Sequence, residues 1–323
     1  MKNIFITRQI PGSGIKMLED KGYSVTVGKY KIPPTQEKII EELKGKNYDA
    51  VITLLTDKID TQVFAASPTT KIFANYAIGY DNIDLDAAAA ASITITNAPG
   101  NYTDGIAQHA IALLLALMAR LNEADAFMRA GKYTGWDPMI FIGDKLEGKT
   151  VAIIGTGRIG GDVAKMLHGG FGVKIIYYDV TKNENIEKEC GAEFVPSVDD
   201  ALAKADVVSI HVPLLPTTQH LINKENLKKM KPTAYLINTS RGPVVDEVAL
   251  VEALKNGTIR GAGLDVYEFE PKLAEGLAQL PNTVLTPHIA SAQNDSREEM
   301  SKVVAENVID FLEGKIPKNK VSK

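Results

Sequence analysis

The stretch VAIIGTGRIGG, residues 151–161, decides how this chain is read. An apolar run reads as a strand and passes into Gly155-x-Gly157-x-x-Gly160, after which RIGGDVAKMLHG reads as a helix. The next apolar run, VKIIYYD (173–179), is a second strand that closes on Asp179, 19 residues past Gly160. Three glycines at this spacing are a weak signal alone. With a strand before them, a helix after them and an acid at the end of the next strand, they mark a dinucleotide loop. Gly155 allows the tight turn, Gly157 lets backbone approach a pyrophosphate, and Gly160 permits close helix–strand packing. The helix N-terminus offers unpaired N–H groups and positive potential to the phosphates. Asp179 suits both ribose hydroxyls and would repel a 2′-phosphate, so NAD is expected and NADP is less favoured.

Outward from this loop, β-rich runs alternate with helical patterns. Upstream, NIFITR (3–8), YSVTVG, DAVITLL, KIFANYA and TITNA read as strands, with helices at 14–22, 35–45, 60–66 and 84–92. Residues 101–130 read as mostly helical, ending near Gly131, and 132–150 as an ordered loop. Downstream, AEFV, DVVSIHV, AYLINTS, GAGLDV and NTVLTP follow as strands, and 295–313 as a helix that returns to the first domain. The tail KIPKNKVSK reads as basic and frayed. Such alternation implies parallel sheets covered by helices. The fold expected is α/β, with two Rossmann-like doubly wound parallel-sheet domains. Residues 1–99 with 290–323 form a substrate domain, and 100–289 the dinucleotide-binding domain.

At 323 residues the chain exceeds the size at which a single core usually divides. A net charge of −4 gives no basic field, so neither nucleic acid nor an anionic membrane surface is an expected partner. The longest apolar run, AIALLLALMA (110–119), falls short of the roughly 20 residues a membrane span needs and reads as a core helix. The lone Cys190 suits a reducing compartment, and no leader is legible at the N-terminus, so a cytoplasmic location is expected. No His/Cys/carboxylate group has ligand spacing, and no metal is expected.

A dinucleotide enzyme that reduces a carbonyl needs a proton donor and a grip on its substrate. Histidine donates near neutral pH, a neighbouring carboxylate favours its charged form, and arginine holds a carboxylate by two parallel bonds. Arg241 in NTSRGPVVDEVAL, Glu270 in LDVYEFEP and His288 in LTPHIAS each lie just past a strand, where doubly wound sheets bind ligands. His109, His168, His211 and His220 read as packed or locally satisfied histidines.

These three segments, with GTGRIG upstream and NYAIGYDNID (75–84) in the first domain, resemble the D-isomer-specific 2-hydroxyacid dehydrogenases over nearly the whole chain. FITRQIPGSGIKMLED, GWDPMIFIG and VLTPHIASA are most similar to the glyoxylate/hydroxypyruvate reductase branch. The resemblance implies reduction of a small 2-oxo acid with His288 as acid/base, Glu270 as its partner and Arg241 on the carboxylate and keto oxygen. It implies that the N–H groups of Ile78 and Gly79 grip the same carboxylate, which places the active site in the cleft between the domains, with hinges near 98–103 and 288–295. It assigns Thr239 and Asp265 to the nicotinamide amide, and Arg158, Ile159 and Pro213 to the dinucleotide site. It also implies a homodimer, with Trp136 reaching the neighbouring subunit. Tyr76 and Leu55 can shape a substrate pocket or serve the core equally well. Gln108 departs from the acid often found at that position. D-lactate or phosphite dehydrogenase, or a NAD-sensing corepressor-like binding protein, are the alternatives. A formate dehydrogenase is disfavoured by Glu270, because that branch pairs its histidine with glutamine. Phosphoglycerate dehydrogenase is disfavoured by the absence of a further C-terminal domain.

Overall fold

The computed structural model describes residues 1–100 and 102–321. Asn101, within the expected 98–103 hinge, and Ser322 and Lys323, which end the basic tail, lie outside the described residues. The chain forms two compact units, Met1–Tyr102 with Ala292–Lys323, and Thr103–Ser291. In unit 1, β1 (Asn3–Ile6), α1 (Gly12–Asp20), β2 (Ser24–Val27), α2 (Gln36–Leu43), β3 (Ala50–Leu54), α3 (Thr61–Ala66), β4 (Ile72–Tyr76), α4 (Leu85–Ala90) and β5 (Thr94–Thr96) alternate. Unit 2 opens with α5 (Thr103–Met118) and α6 (Leu121–Arg129), then β6 (Thr150–Ile154), α7 (Arg158–Phe171), β7 (Lys174–Tyr178), α8 (Glu184–Cys190) and β8 (Glu193–Phe194). It continues through α9 (Val198–Lys204), β9 (Val207–Ile210), α10 (Lys224–Leu227), β10 (Tyr235–Asn238), α11 (Glu247–Lys255), β11 (Gly261–Leu264) and β12 (Thr283–Leu285). The chain then returns to unit 1 as α12 (Asn294–Leu312) and β13 (Lys320–Val321).

Unit 1 holds a sheet in the order β13-β5-β4-β3-β1-β2, parallel except for β13. Helix α12 lays Met300, Val304, Ala305 and Val308 against Ile4, Ile6, Ile52 and Ala74 of that sheet. Unit 2 holds a seven-stranded parallel sheet, β12-β11-β10-β9-β6-β7-β8. Its strands are buried on both faces, which explains why VAII, VVSI and YLIN are continuous apolar runs without alternation. On one face α5 supplies Leu113, Leu114 and Leu117 against Val151, Ile153 and Tyr177. That burial accounts for its nearly unbroken apolar composition. Among the described residues no helix is long and apolar enough to cross a membrane.

The segment 101–130 is mostly helical as expected, but in two helices: it breaks at Arg120, which adopts φ +55 and caps α6. A bidentate pair from the Arg120 guanidinium to Glu123, at 2.8 and 2.7 Å, holds that turn without a glycine or proline to announce it. The basic tail is not frayed over 320–321, where Lys320 and Val321 pair antiparallel with Thr96 and Ile95.

Candidate active site

Every candidate side chain of unit 2 stands at the carboxyl end of a parallel strand. After β6 the chain turns at Gly155, whose φ of +89 is a left-handed setting that glycine adopts freely. A Cβ on Gly160 would collide with the carbonyl of Gly155, so only glycine lets α7 start this close to the strand. Gly157 precedes the first helical residue, and Arg158 and Ile159 form the opening turn, where helical N–H groups lack internal partners. Asp179 ends β7. Its Oδ2 accepts from the Thr156 N–H at 2.6 Å and the Thr156 hydroxyl at 2.9 Å, and its Oδ1 from the Val180 N–H at 2.7 Å. Asn183 ties the same turn by donating from Nδ2 to the Thr156 carbonyl at 2.7 Å. Thr156, Gly157, Asp179, Lys182 and Asn183 thus line an open groove. Pro213, after β9, is exposed, and its carbonyl accepts from the Thr218 hydroxyl at 2.6 Å.

The other three loops follow β10, β11 and β12, which are neighbours in the sheet. Asn238, buried at the end of β10, shapes the first of them. Its Oδ1 accepts from the Ser240 N–H and hydroxyl at 3.0 and 2.8 Å, and its Nδ2 donates to the Arg241 carbonyl at 2.9 Å. Arg241 Nη1 donates to the Ser240 carbonyl at 2.8 Å. Gly242 sits so close to the Tyr267 backbone that any Cβ there would overlap it, which brings this loop against the one carrying Glu270. Thr239 is 8 % exposed, and its hydroxyl has no hydrogen-bond partner among the described residues. A buried hydroxyl left unpaired favours a ligand group that completes it.

Glu270 Oε1 accepts from the Tyr267 N–H at 3.0 Å, and its Oε2 lies 3.0 Å from His288 Nδ1. The side chains of His288 and Glu270 are 26 % and 32 % exposed, so the pair is fixed yet open to a ligand. With Nδ1 on the carboxylate, Nε2 is the atom left to serve chemistry. His288 has φ +55, unusual for a residue with a side chain.

Asp265 holds that conformation. It is 0 % exposed and accepts from the Thr286 hydroxyl at 2.6 Å, the Ile289 N–H at 2.8 Å and the Ala290 N–H at 2.7 Å. Burial acts to raise its pKa, but hydrogen bonds from His109, Thr286, Ile289 and Ala290 outweigh it and hold the carboxyl below its ordinary value. Its carboxylate oxygens thus fasten the loop that carries His288. The remaining histidines have local partners: His168 faces the Val173 carbonyl, His220 lies 2.6 Å from Glu268, and burial pushes His211 down to about 3.

In unit 1, Ile78 and Gly79 follow β4. Their carbonyls accept from Asn97 and Asn75, at 2.7 and 3.0 Å, while among the described residues their N–H groups donate to nothing. Gln108 is exposed on α5, Tyr76 is buried with its hydroxyl donating to the Arg297 carbonyl, and Trp136 is 82 % exposed. No group of His, Cys, Asp or Glu among the described residues could hold a metal ion. A second cavity in unit 2 lies at the opposite end of the sheet, by Arg120, Tyr235, Arg260 and Asn282. Its guanidiniums are already matched by Glu123 and Asp144, so the glycine-loop end is the better site for an anionic ligand.

Sequence reasoning missed Thr156, Asn183, Asn238, Thr286 and the engagement of His109. Each holds a neighbour by hydrogen bonds, and apart from their closeness to the glycine loop or a strand end nothing in the sequence marks them.

Comparison with known proteins gives a consistent result. The profile described as D-isomer specific 2-hydroxyacid dehydrogenase, NAD binding domain, matches residues 111–290. The glyoxylate reductase of Thermococcus litoralis is 49 % identical over 99 % of this chain and 96 % of its own length. A solved Thermus thermophilus protein is similar with a TM-score of 0.92 and 38 % identity, over 99 % of this chain and all of that one. An NADPH-dependent glyoxylate/hydroxypyruvate reductase from Sinorhizobium meliloti, solved with NADP and malonate, gives 0.87 and 32 % identity, over 99 % and 97 %.

Proposed function

The chain belongs to the D-isomer specific 2-hydroxyacid dehydrogenase family, and from that premise we propose that it is a NADH-dependent reductase of small 2-oxo acids, with glyoxylate or hydroxypyruvate as substrate. The observation that carries this reading is the 3.0 Å His288–Glu270 pair, formed between the loops after β12 and β11, with Arg241 on the loop after the neighbouring β10, in a sheet that also bears the glycine loop. NADH, when bound, supplies the hydride. His288, as imidazolium, gives its Nε2 proton to the carbonyl oxygen while Glu270 stabilises the charge at Nδ1. The balance is a 2-oxo acid, NADH and a proton giving a D-2-hydroxy acid and NAD. Arg241 grips the substrate carboxylate, and the free N–H groups of Ile78 and Gly79 are proposed to hold it as well.

The pyrophosphate rests on the α7 N-terminus at Gly157, Arg158 and Ile159, with Pro213 on the same site. Asp179 takes the ribose and gives NAD preference over NADP. Thr239 and Asp265 would hold the nicotinamide amide, and Asp265 also fastens the His288 loop. The exposed apolar side chains of Leu121, Met128, Trp136, Met139 and Ile142 are read as the face of a two-fold dimer. Light scattering that finds a monomer at micromolar concentration refutes that part. The buried lone Cys190 suits a cytoplasmic enzyme.

The direct test is NADH oxidation with glyoxylate, hydroxypyruvate and pyruvate, run beside D-lactate and phosphite oxidation with NAD. Turnover of a 2-oxo acid is expected. NADH binding without turnover of any substrate would make the chain a sensor instead.

A further inference from the structure

We propose that His109 is a positioning residue for His288, acting through the Thr286 hydroxyl and the buried Asp265 carboxylate. The proposal rests on the reading of His288 as the proton donor.

The loop after β12 holds His288 in a left-handed conformation that is unfavourable for a residue with a side chain. Such a setting persists only where the surroundings impose it. Beside the Thr286 carbonyl, which accepts from the His288 N–H at 3.1 Å, several fastenings converge on Asp265. Its main-chain carbonyl accepts from the His288 N–H at 2.9 Å, and its carboxylate takes the next two N–H groups, of Ile289 and Ala290. The Thr286 hydroxyl donates to the same carboxylate at 2.6 Å.

His109 reaches this cluster from α5. Its Nε2 lies 3.0 Å from Thr286 Oγ1 and 3.5 Å from Asp265 Oδ1. A threonine hydroxyl has one hydrogen, and here it points at Asp265. The Thr286 oxygen therefore presents a lone pair to His109, which must carry its hydrogen on Nε2. The imidazole then donates to the Thr286 hydroxyl, with the Asp265 carboxylate close by at 3.5 Å. Helix α5 is fixed to the sheet by Leu113, Leu114 and Leu117, so His109 ties the His288 loop to a helix buried in the core of the unit. A carboxylate removed from water depends on each of its donors. Without His109, Asp265 is under-bonded, the bonds to Ile289 and Ala290 loosen, and His288 leaves its place beside Glu270.

The experiment compares His109→Leu, His109→Gln, Thr286→Val and His288→Asn by steady-state kinetics with glyoxylate and NADH. NADH binding is followed by fluorescence and folding by thermal melts. Displacing a catalytic group by about 1 Å costs up to about 100-fold. His109→Leu and Thr286→Val are expected to lower kcat by about 10- to 100-fold, with the KM for glyoxylate and the NADH dissociation constant little changed. His109→Gln, which keeps an N–H donor, should recover most of the loss. The double variant His109→Leu/Thr286→Val should be little worse than the worse single one, because both cut one path. Wild-type kcat in folded His109→Leu overturns the proposal. So does a His109→Gln enzyme as slow as His109→Leu, or a loss confined to KM. If His109→Leu fails to fold, Thr286→Val and His109→Gln decide by the same criteria. If His288→Asn keeps wild-type kcat, the acid role itself falls. If only His288→Asn is slow, the role of His109 alone falls.

Discussion

The two sheets of this chain are built alike and end differently. In unit 2, the loops after β6, β7, β10, β11 and β12 carry a glycine turn and the polar side chains of Asp179, Arg241, Glu270 and His288. In unit 1, the loop after β4 carries Ile78 and Gly79, whose polar offer is main-chain N–H. The same parallel architecture thus presents ionisable side chains in one unit and, among the described residues, unbonded main-chain N–H groups in the other. Side-chain chemistry depends on residue identity and can be lost by one substitution. A backbone cradle depends on the path of the chain and tolerates many sequences.

That contrast can be broken by experiment. The largest effect should come from His288→Asn, which keeps much of the ring's shape and loses the acid. Its kcat for reduction should fall by about 10²–10⁴-fold with NADH binding nearly intact. Near wild-type kcat at neutral pH would make the histidine structural. Next is Arg241→Lys. A lysine cannot make the two-pronged grip, and one charge-assisted bond is worth about 1.5–3 kcal/mol, so the KM for glyoxylate should rise about 10- to 100-fold. An unchanged KM would move the carboxylate's grip elsewhere. The smallest effect is that of Asp179→Ala. The KM for NADH should rise and the preference for NADH over NADPH should narrow by about tenfold. A wild-type enzyme that prefers NADPH would overturn this role of Asp179.

How much was legible follows the same division. The glycine loop could be read because its glycines answer local geometry: the turn at Gly155 and the helix pressed on Gly155 by Gly160 lie within six residues. Arg241, Glu270 and His288 were legible as chemistry-bearing residues past apolar runs. Their grouping on adjacent strands depends on the order β12-β11-β10, which periodicity cannot supply. The break at Arg120 was hidden because ALMARLNEADAF has helical composition throughout, and a side-chain pair with Glu123 supports the turn. The edge strand at Lys320 and Val321 was hidden because two residues carry no period, and its partner, β5, lies more than two hundred residues earlier. His109 looked like a filler of an apolar helix because its partners, Thr286 and Asp265, are distant in sequence.

The central claim is that His288 moves the proton, and the wild-type enzyme tests it most directly through a pair of pH profiles. Reduction of glyoxylate needs the imidazolium, so its kcat should fall as rising pH removes that proton. Oxidation of the D-2-hydroxy acid needs the neutral ring, so its kcat should rise over the same interval. Opposite limbs are the predicted result. Two profiles that are flat, or that move in the same direction, would contradict the account.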